Sequence, residues 1–194
     1  MEFSEMLSAY EPYNEQEAAD KAVMLAALSR FPDLYDRTNL VLHLTASSWI
    51  VNRARDKVLM VYHNLYDSWA WTGGHADGER DLLAVAVREA QEETGLSSVR
   101  PLSRAIYSIE TLPVNAHRRH GRFVPAHLHL NATYLLEADE AEPLRHKPDE
   151  NSAAAWFPLA EAVAACSEPF MRPIYRKLNE KLAALPDILR SRVE

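Results

Sequence analysis

The spacing of apolar and polar positions changes period several times along the chain, and each change marks an element. Residues 15–30, EQEAADKAVMLAALSR, place Ala18, Ala22, Leu25 and Leu28 near helical spacing and predict an amphipathic helix. Residues 39–51 (NLVLHLTASSWIV) and 56–64 (DKVLMVYHN) are β-rich, and NRARD between them reads as a hairpin connection. The short segment SWAWTGG then leads into a helix predicted over 80–94. Further strands are expected at 103–112, 126–138 and 153–159, and two helices near 159–166 and 170–184. Between 113 and 125, Pro113 and Pro125 bracket Gly121, so this stretch is a loop or a hairpin tip. Strands, a central helix, more strands and terminal helices together predict one mixed α/β domain.

The central helix carries an oddity. At about 100° per residue, Leu83, Ala86, Val87 and Ala90 share one arc, the expected core side, while Glu89, Glu92 and Glu93 border it. Carboxylates in the last turns oppose the helix macrodipole. At i, i+3 and i+4 they also repel one another. A solvated acidic face tolerates this, since each misplaced charge costs a few tenths to ~1 kcal/mol. A divalent cation would remove the cost, because Mg²⁺ takes oxygen ligands and often bridges one or two carboxylates to a substrate phosphate. Charge pattern leaves both readings open.

Composition narrows the class. With 194 residues, 47% hydrophobic and 25% charged, the chain has the make-up of an ordinary globular protein of one domain. No apolar run approaches the roughly 20 residues that span a bilayer, so no membrane partner is expected. The acidic start, MEFSEMLSAYEPYNEQEAAD, lacks the pattern of a signal peptide. A single cysteine, Cys166, excludes an internal disulfide and a multi-cysteine zinc site, and points to a reduced, cytoplasmic setting. The net charge of −7 argues against stable nucleic-acid binding but leaves a small phosphorylated substrate open.

Three further groups carry chemistry. In HLHLNATY, period-2 alternation puts His127, His129, Asn131 and Thr133 on one face of a strand. That face is either a solvated polar surface or a pocket wall with imidazoles near phosphate or metal; spacing places no third ligand for zinc. The stretch NAHRRHGR packs His117, Arg118, Arg119, His120 and Arg122 together, as solvated loop charges or as a clamp on phosphates. Trp69, Trp71, Tyr62 and Tyr66 gather before the central helix, as core or as pocket wall, and His75 lines the site or decorates a turn.

The segment Gly74–Leu96 resembles the box of the Nudix hydrolases: Gly, five residues, Glu, seven residues, Arg-Glu, an aliphatic, any residue, Glu-Glu, any residue, Gly, an aliphatic. Gly74, Arg88, Glu89, Glu92, Glu93, Gly95 and Leu96 fall in register, and Ala90 takes the aliphatic place. One position departs: Arg80 stands where the first Glu belongs, with Glu79 one residue earlier. WTGGHADG together with HLHLNATYLLEA and DENS resembles an uncharacterised branch of that family.

The resemblance implies a Nudix-type α/β/α sandwich with a mixed sheet and additional N- and C-terminal helices. Residues 1–37 would be an N-terminal helical extension, 38–160 the core and 161–194 C-terminal helices. It implies a hydrolase using Mg²⁺ or Mn²⁺ to cleave a phosphoanhydride in a nucleoside diphosphate linked to another group. Glu89 and Glu93 would be the principal metal ligands, with Glu92 a further ligand or a contact through water and the carbonyl of Gly73 or Gly74 completing the shell. Arg88 would orient a box carboxylate, and Glu79 would serve the loop. Glu92, Glu93 or Glu150, the last on a late loop, would be the general base. His75, Arg118, Arg119, His127 and His129 are the candidate substrate contacts. Two other readings remain: a nucleotide-binding module that has lost catalysis, hinted at by Arg80, and a diphosphate isomerase, for which Cys166 is poorly placed. A homodimer is compatible with all three.

Overall fold

Hydrogen bonding follows the period changes of the sequence closely. The computed structural model describes residues 2–119 and 121–185. Its elements in chain order are α1 (Phe3–Ala9), α2 (Glu15–Arg30), β1 (Leu42–Val51), β2 (Lys57–His63), β3 (Ser68–Ala70), β4 (Thr72–His75), α3 (Leu82–Thr94), β5 (Arg100–Pro101), β6 (Ser108–Val114), β7 (His117–Arg119), β8 (Arg122–Val124), β9 (His127–Glu137), β10 (Asn151–Pro158), α4 (Leu159–Ala165) and α5 (Met171–Ala183). The chain forms an α/β fold in two compact units. One comprises Met1–Ser48, Gly73–Glu89 and Ser103–Tyr134; the other comprises Trp49–Thr72, Ala90–Leu102 and Leu135–Glu194.

In the first unit, β4 and β9 pair with β1, and β6 pairs with β9. The β6–β9 ladder is antiparallel, from Ser108 opposite Thr133 to Val114 opposite His127. Alternation sorts the two faces. Leu44, Ala46, Ile109, Leu130 and Ala132 make a buried apolar face, while His43, Thr45, Ser47, Ser108, Glu110, Asn131 and Thr133 make the other, also buried. Such a face needs partners. Asn131 Oδ1 accepts from Thr45 Oγ1 at 3.0 Å and Ser47 Oγ at 2.8 Å. Glu110 Oε2 accepts from Asn131 Nδ2 at 3.0 Å and Thr133 Oγ1 at 2.8 Å.

Helix α2, capped by Asn14 accepting from the Glu17 amide at 3.0 Å, meets this face with a polar edge. The sequence pattern puts Ala18, Ala22, Leu25 and Leu28 inward, yet Ala18 and Ala22 are exposed and the buried positions are Glu17, Met24 and Ala27. The reason is the surface being met. Glu17 accepts from Ser108 Oγ at 2.8 Å and from the Tyr10 hydroxyl at 2.6 Å; Gln16 Nε2 donates to the Ile109 carbonyl at 3.1 Å. Asp20 accepts from the Thr111 amide at 3.1 Å.

In the second unit the strand order is β10-β2-β1-β9-β5, with β3 also on β2. Trp49, fully buried, stacks on Tyr175 of α5 with ring centroids 5.1 Å apart. The Tyr175 hydroxyl accepts from the Trp71 amide at 3.2 Å. Helix α4 packs on β10, β2, β3 and α5. Helix α1 and the two-residue β5 are additions to the sequence reading, the stretch 113–125 carries the β7–β8 hairpin, and β6 begins later than expected, at Ser108. These segments are too short to show a period. Among the described residues no helix is long and apolar enough to cross a membrane.

Candidate functional site

The box begins on tightly packed backbone in the first unit. A β-carbon on Gly73 would meet the Ala46 carbonyl oxygen at 2.7 Å and Ser47 Cα at 2.9 Å, so only glycine lets β4 approach β1 this closely. Asp81 Oδ1 accepts from the amides of Leu83 (3.1 Å) and Ala84 (3.2 Å), opening α3 as an N-cap does. Glu79 Oε1 accepts from the Asp81 amide at 2.9 Å and so braces that turn. Arg80 places its guanidinium 4.9 Å from the centroid of the Tyr35 ring, a cation–π contact at the position where the box pattern has Glu. Farther along α3, Arg88 donates to Glu89 Oε1 at 3.2 Å, and Glu89 lies directly against Gly74.

The end of α3 belongs to the second unit. The faces differ from the helical-wheel expectation: Glu93 is 3% exposed, in the core arc rather than beside it, whereas Glu92 is exposed. Glu93 Oε2 accepts from Asn151 Nδ2 at 2.8 Å, and Asn151 Oδ1 is buried with no hydrogen-bond partner. Lys147 stands between two carboxylates, 3.7 Å from Glu92 Oε2 and 2.9 Å from Glu150 Oε2. Sequence reasoning had Glu150 as a candidate but missed Lys147 and Asn151. Both lie within six residues of Glu150, so the signal was the loop as a whole.

Gly95 ends α3 with φ of 71°, its amide donating to the Gln91 carbonyl at 2.8 Å. A β-carbon there would also meet Arg145 Cβ at 2.9 Å. The next turn is clasped by Glu142, which accepts from the Ser97 amide (2.6 Å), Ser97 Oγ (2.7 Å) and the Ser98 amide (3.0 Å). Hydrogen bonds from the Ser98 side chain, then the Ser97 side chain and amide, hold its carboxyl down at about 2.

The structure brings His75, His127 and His129 together in the first unit and adds His43, which sequence reasoning did not single out. Ring centroids of His43 lie 5.0 Å from His75, 4.8 Å from His127 and 4.9 Å from His129. Nδ1 of His43 is 3.0 Å from the Asn39 carbonyl and Nδ1 of His127 is 2.8 Å from that of Pro125. A carbonyl only accepts, so both rings carry a proton on Nδ1 and a lone pair on Nε2 when neutral. His127 Nε2 is 3.2 Å from His129 Nε2. Burial, and then the positive forms of neighbouring His75, His43 and His127, push His129 down to about 2; burial also lowers His43. His43 and His129 are therefore neutral imidazoles near pH 7. The signal for His43 was the alternation His43, Thr45, Ser47 on β1, which repeats that of His129, Asn131, Thr133 on β9.

Arg118 lies on β7 and Arg122 on β8. Arg118 is exposed and donates to the Gly121 carbonyl at 3.2 Å. Arg119 lends its backbone to β7, and its side chain and all of His120 lie outside the described residues. Of the four aromatics, Trp71 is buried, Trp69 and Tyr62 are half-buried and Tyr66 is exposed. Cys166 is buried and free at the end of α4, its sulfur 3.6 Å from Ser68 Oγ.

The chain resembles known proteins in sequence and in fold. A family model described as NUDIX domain matches residues 41–178. A protein of Lactococcus lactis subsp. cremoris (strain MG1363), described as a probable DHNTP pyrophosphohydrolase, is 27% identical over 127 residues, 66% of this chain and 72% of that relative. Among solved structures, the dihydroneopterin triphosphate pyrophosphohydrolase of E. coli superposes with a TM-score of 0.53 and 15% identity, covering 69% of this chain and 92% of its own. The Ap4A hydrolase of C. elegans, in a binary complex, gives a TM-score of 0.52 and 17% identity, covering 73% and 98%. These two likenesses show the fold.

Proposed function

The chain belongs to the NUDIX domain family, and from that premise we infer a divalent-metal-dependent hydrolase that cleaves a phosphoanhydride in a nucleoside diphosphate linked to another group. One observation carries the reading. A buried Glu93 carboxylate sits beside a buried amide oxygen, Asn151 Oδ1, that has no donor. Buried acceptors without donors are costly, and oxygen atoms of this kind suit a hard cation. The donor set therefore fits Mg²⁺ or Mn²⁺.

Glu89, Glu92 and Glu93, on consecutive turns of α3, would hold the metal with the Gly74 carbonyl. When bound, the ion supplies charge neutralisation on phosphate oxygens and acidifies water. The chain's own groups do the rest. Arg88 fixes the Glu89 carboxylate by hydrogen bonding, and Glu79 shapes the turn into α3. Asn151 fixes Glu93 in the same way. Glu92 and Glu150, joined through Lys147, are open enough to take a proton from water, which the buried Glu93 is not. His75, His127 and His129 would line the substrate's path, and Arg118 would reach its phosphates.

The names of the relatives put dihydroneopterin triphosphate first among substrates to try, beside dinucleoside polyphosphates, nucleotide-sugars and nucleoside triphosphates. The single buried cysteine suits a reducing compartment such as the cytoplasm. The test is a release assay across that panel with Mg²⁺, Mn²⁺ or EDTA. Phosphate, pyrophosphate or nucleotide released only with metal supports the hydrolase. Silence across the panel, with Mg²⁺ binding intact by calorimetry, overturns it in favour of a binding module.

A further inference from the structure

We propose that His43, His75 and His129 form a binding site for a borderline transition-metal dication of the Zn²⁺ kind, chemically separate from the carboxylates of α3. Each residue offers a ring nitrogen, and these atoms all lie within 4.8 Å of one another. Two nitrogens on one zinc ion stand at most about 4.2 Å apart, so modest ring rotations close the set.

Three features distinguish the cluster from histidines that merely pack. First, His43 is 3% exposed, and its Nε2 has no hydrogen-bond partner. With Nδ1 committed to the Asn39 carbonyl, that nitrogen is a buried lone pair without a donor. Second, the Nδ1–H to backbone carbonyl bond is the contact by which metal-bound histidines are oriented and made more basic. His127 repeats it with Pro125, and its Nε2 holds the His129 ring, so His127 is a positioning residue. Third, the three rings converge on one another, with centroids 5.0 Å apart for His43 and His75, 4.9 Å for His43 and His129, and 4.9 Å for His75 and His129.

The donor chemistry selects the ion. Imidazole nitrogen suits Zn²⁺, Co²⁺, Ni²⁺ and Cu²⁺, whereas Mg²⁺ asks for oxygen. Three protein ligands leave a fourth position for water or a substrate atom. His75 and His129 are only half-buried, so the site has an open side. His75 also follows Gly74, which packs on Glu89, so an ion held here would lie close to the start of the box.

The test uses the full chain, stripped with chelator, in a Glu89→Gln/Glu93→Gln background that removes two box carboxylates. Zn²⁺ is titrated by calorimetry and Co²⁺ by visible absorption. The expected result is one equivalent of Zn²⁺, tetrahedral Co²⁺ bands, and no competition from millimolar Mg²⁺. Adding His75→Ala, at a half-exposed position chosen so that the fold survives, should weaken binding at least about 100-fold and abolish the bands. His129→Asn should do the same, with far-UV circular dichroism confirming the fold. His127→Ala should keep the equivalent and weaken it about 10-fold to 100-fold. Failure of the double-Gln protein to bind Zn²⁺, or binding indifferent to both His75→Ala and His129→Asn, would overturn the proposal. Mg²⁺-dependent turnover of the unaltered enzyme would be untouched by either result.

Discussion

Gly74 is packed so closely on Glu89 that a β-carbon at 74 would meet Oε1 of that carboxylate at 2.7 Å and its Cγ at 2.8 Å. At Gly73 a β-carbon would meet Ser47 Oγ at 2.5 Å and, unlike at Gly74, also backbone that cannot swing aside, the Ala46 carbonyl oxygen and Ser47 Cα. Two adjacent glycines should therefore fail differently. In Gly74→Ala the flexible end of Glu89 yields, so stability falls by less than about 1 kcal/mol. The displaced carboxylate should cost on the order of 10-fold to 100-fold in metal affinity and kcat/KM. In Gly73→Ala two strands must part, costing about 1–3 kcal/mol. Denaturant titrations beside metal-activation curves separate the two. Equal loss of stability in both variants would mean that Glu89 cannot move aside.

Glu93→Gln should remove metal-dependent turnover, by at least about 100-fold, while the protein still folds. The substitution keeps volume and leaves a carbonyl oxygen to accept from Asn151, whose present bond to Glu93 is 2.8 Å. Asn151→Ala should be the more damaging to stability, by about 1–3 kcal/mol, because it strands a buried carboxylate without that donor. Full activity in Glu93→Gln would show that the box is not the active site.

The long elements were legible because each keeps one period over several turns or pleats. Helix α2 occupies the span expected from its pattern, Glu15–Arg30, and the strands at β1, β2 and β9 lie inside their expected ranges. Faces were harder to read. The wheel for α2 assumed an apolar partner, and the strand face it meets carries Ser108 and Glu110. Glu93 was placed at a boundary for the same reason, since hydropathy gives no credit for the amide that receives it. In the candidate site, spacing along the chain revealed Glu89, Glu92 and Glu93 as a group. It could not reveal that His43 meets His129, because that meeting depends on the pairing of β1 with β9.

The β7–β8 hairpin offers a test of substrate grip. Arg118 is exposed, and its hydrogen bond to Gly121 closes the turn of its own hairpin. If its guanidinium also reaches phosphates, Arg118→Ala raises KM more than it lowers kcat, on the order of 10-fold at low salt. The effect should shrink as ionic strength rises. A KM that stays fixed at low salt returns the hairpin to a solvated surface.

Glu142 makes the exit from α3 sensitive to acid. Its carboxylate accepts from the Ser97 amide, Ser97 Oγ and the Ser98 amide, and hydrogen bonds from the Ser98 side chain, then the Ser97 side chain and amide, lower its pKa from 4.5 to about 2. A carboxyl whose folded pKa lies below its unfolded value stabilises the fold above the unfolded pKa. That contribution is lost as pH falls through the interval from 4.5 towards 2. Wild type should therefore melt above Glu142→Gln at pH 7, and the gap in Tm should narrow progressively below pH 4.5. The same loop follows Gly95 and Leu96, so loosening it should also speed amide exchange at Ser97 and Ser98. A Tm gap that is constant from pH 7 to pH 3 would mean that Glu142 acts through shape rather than charge.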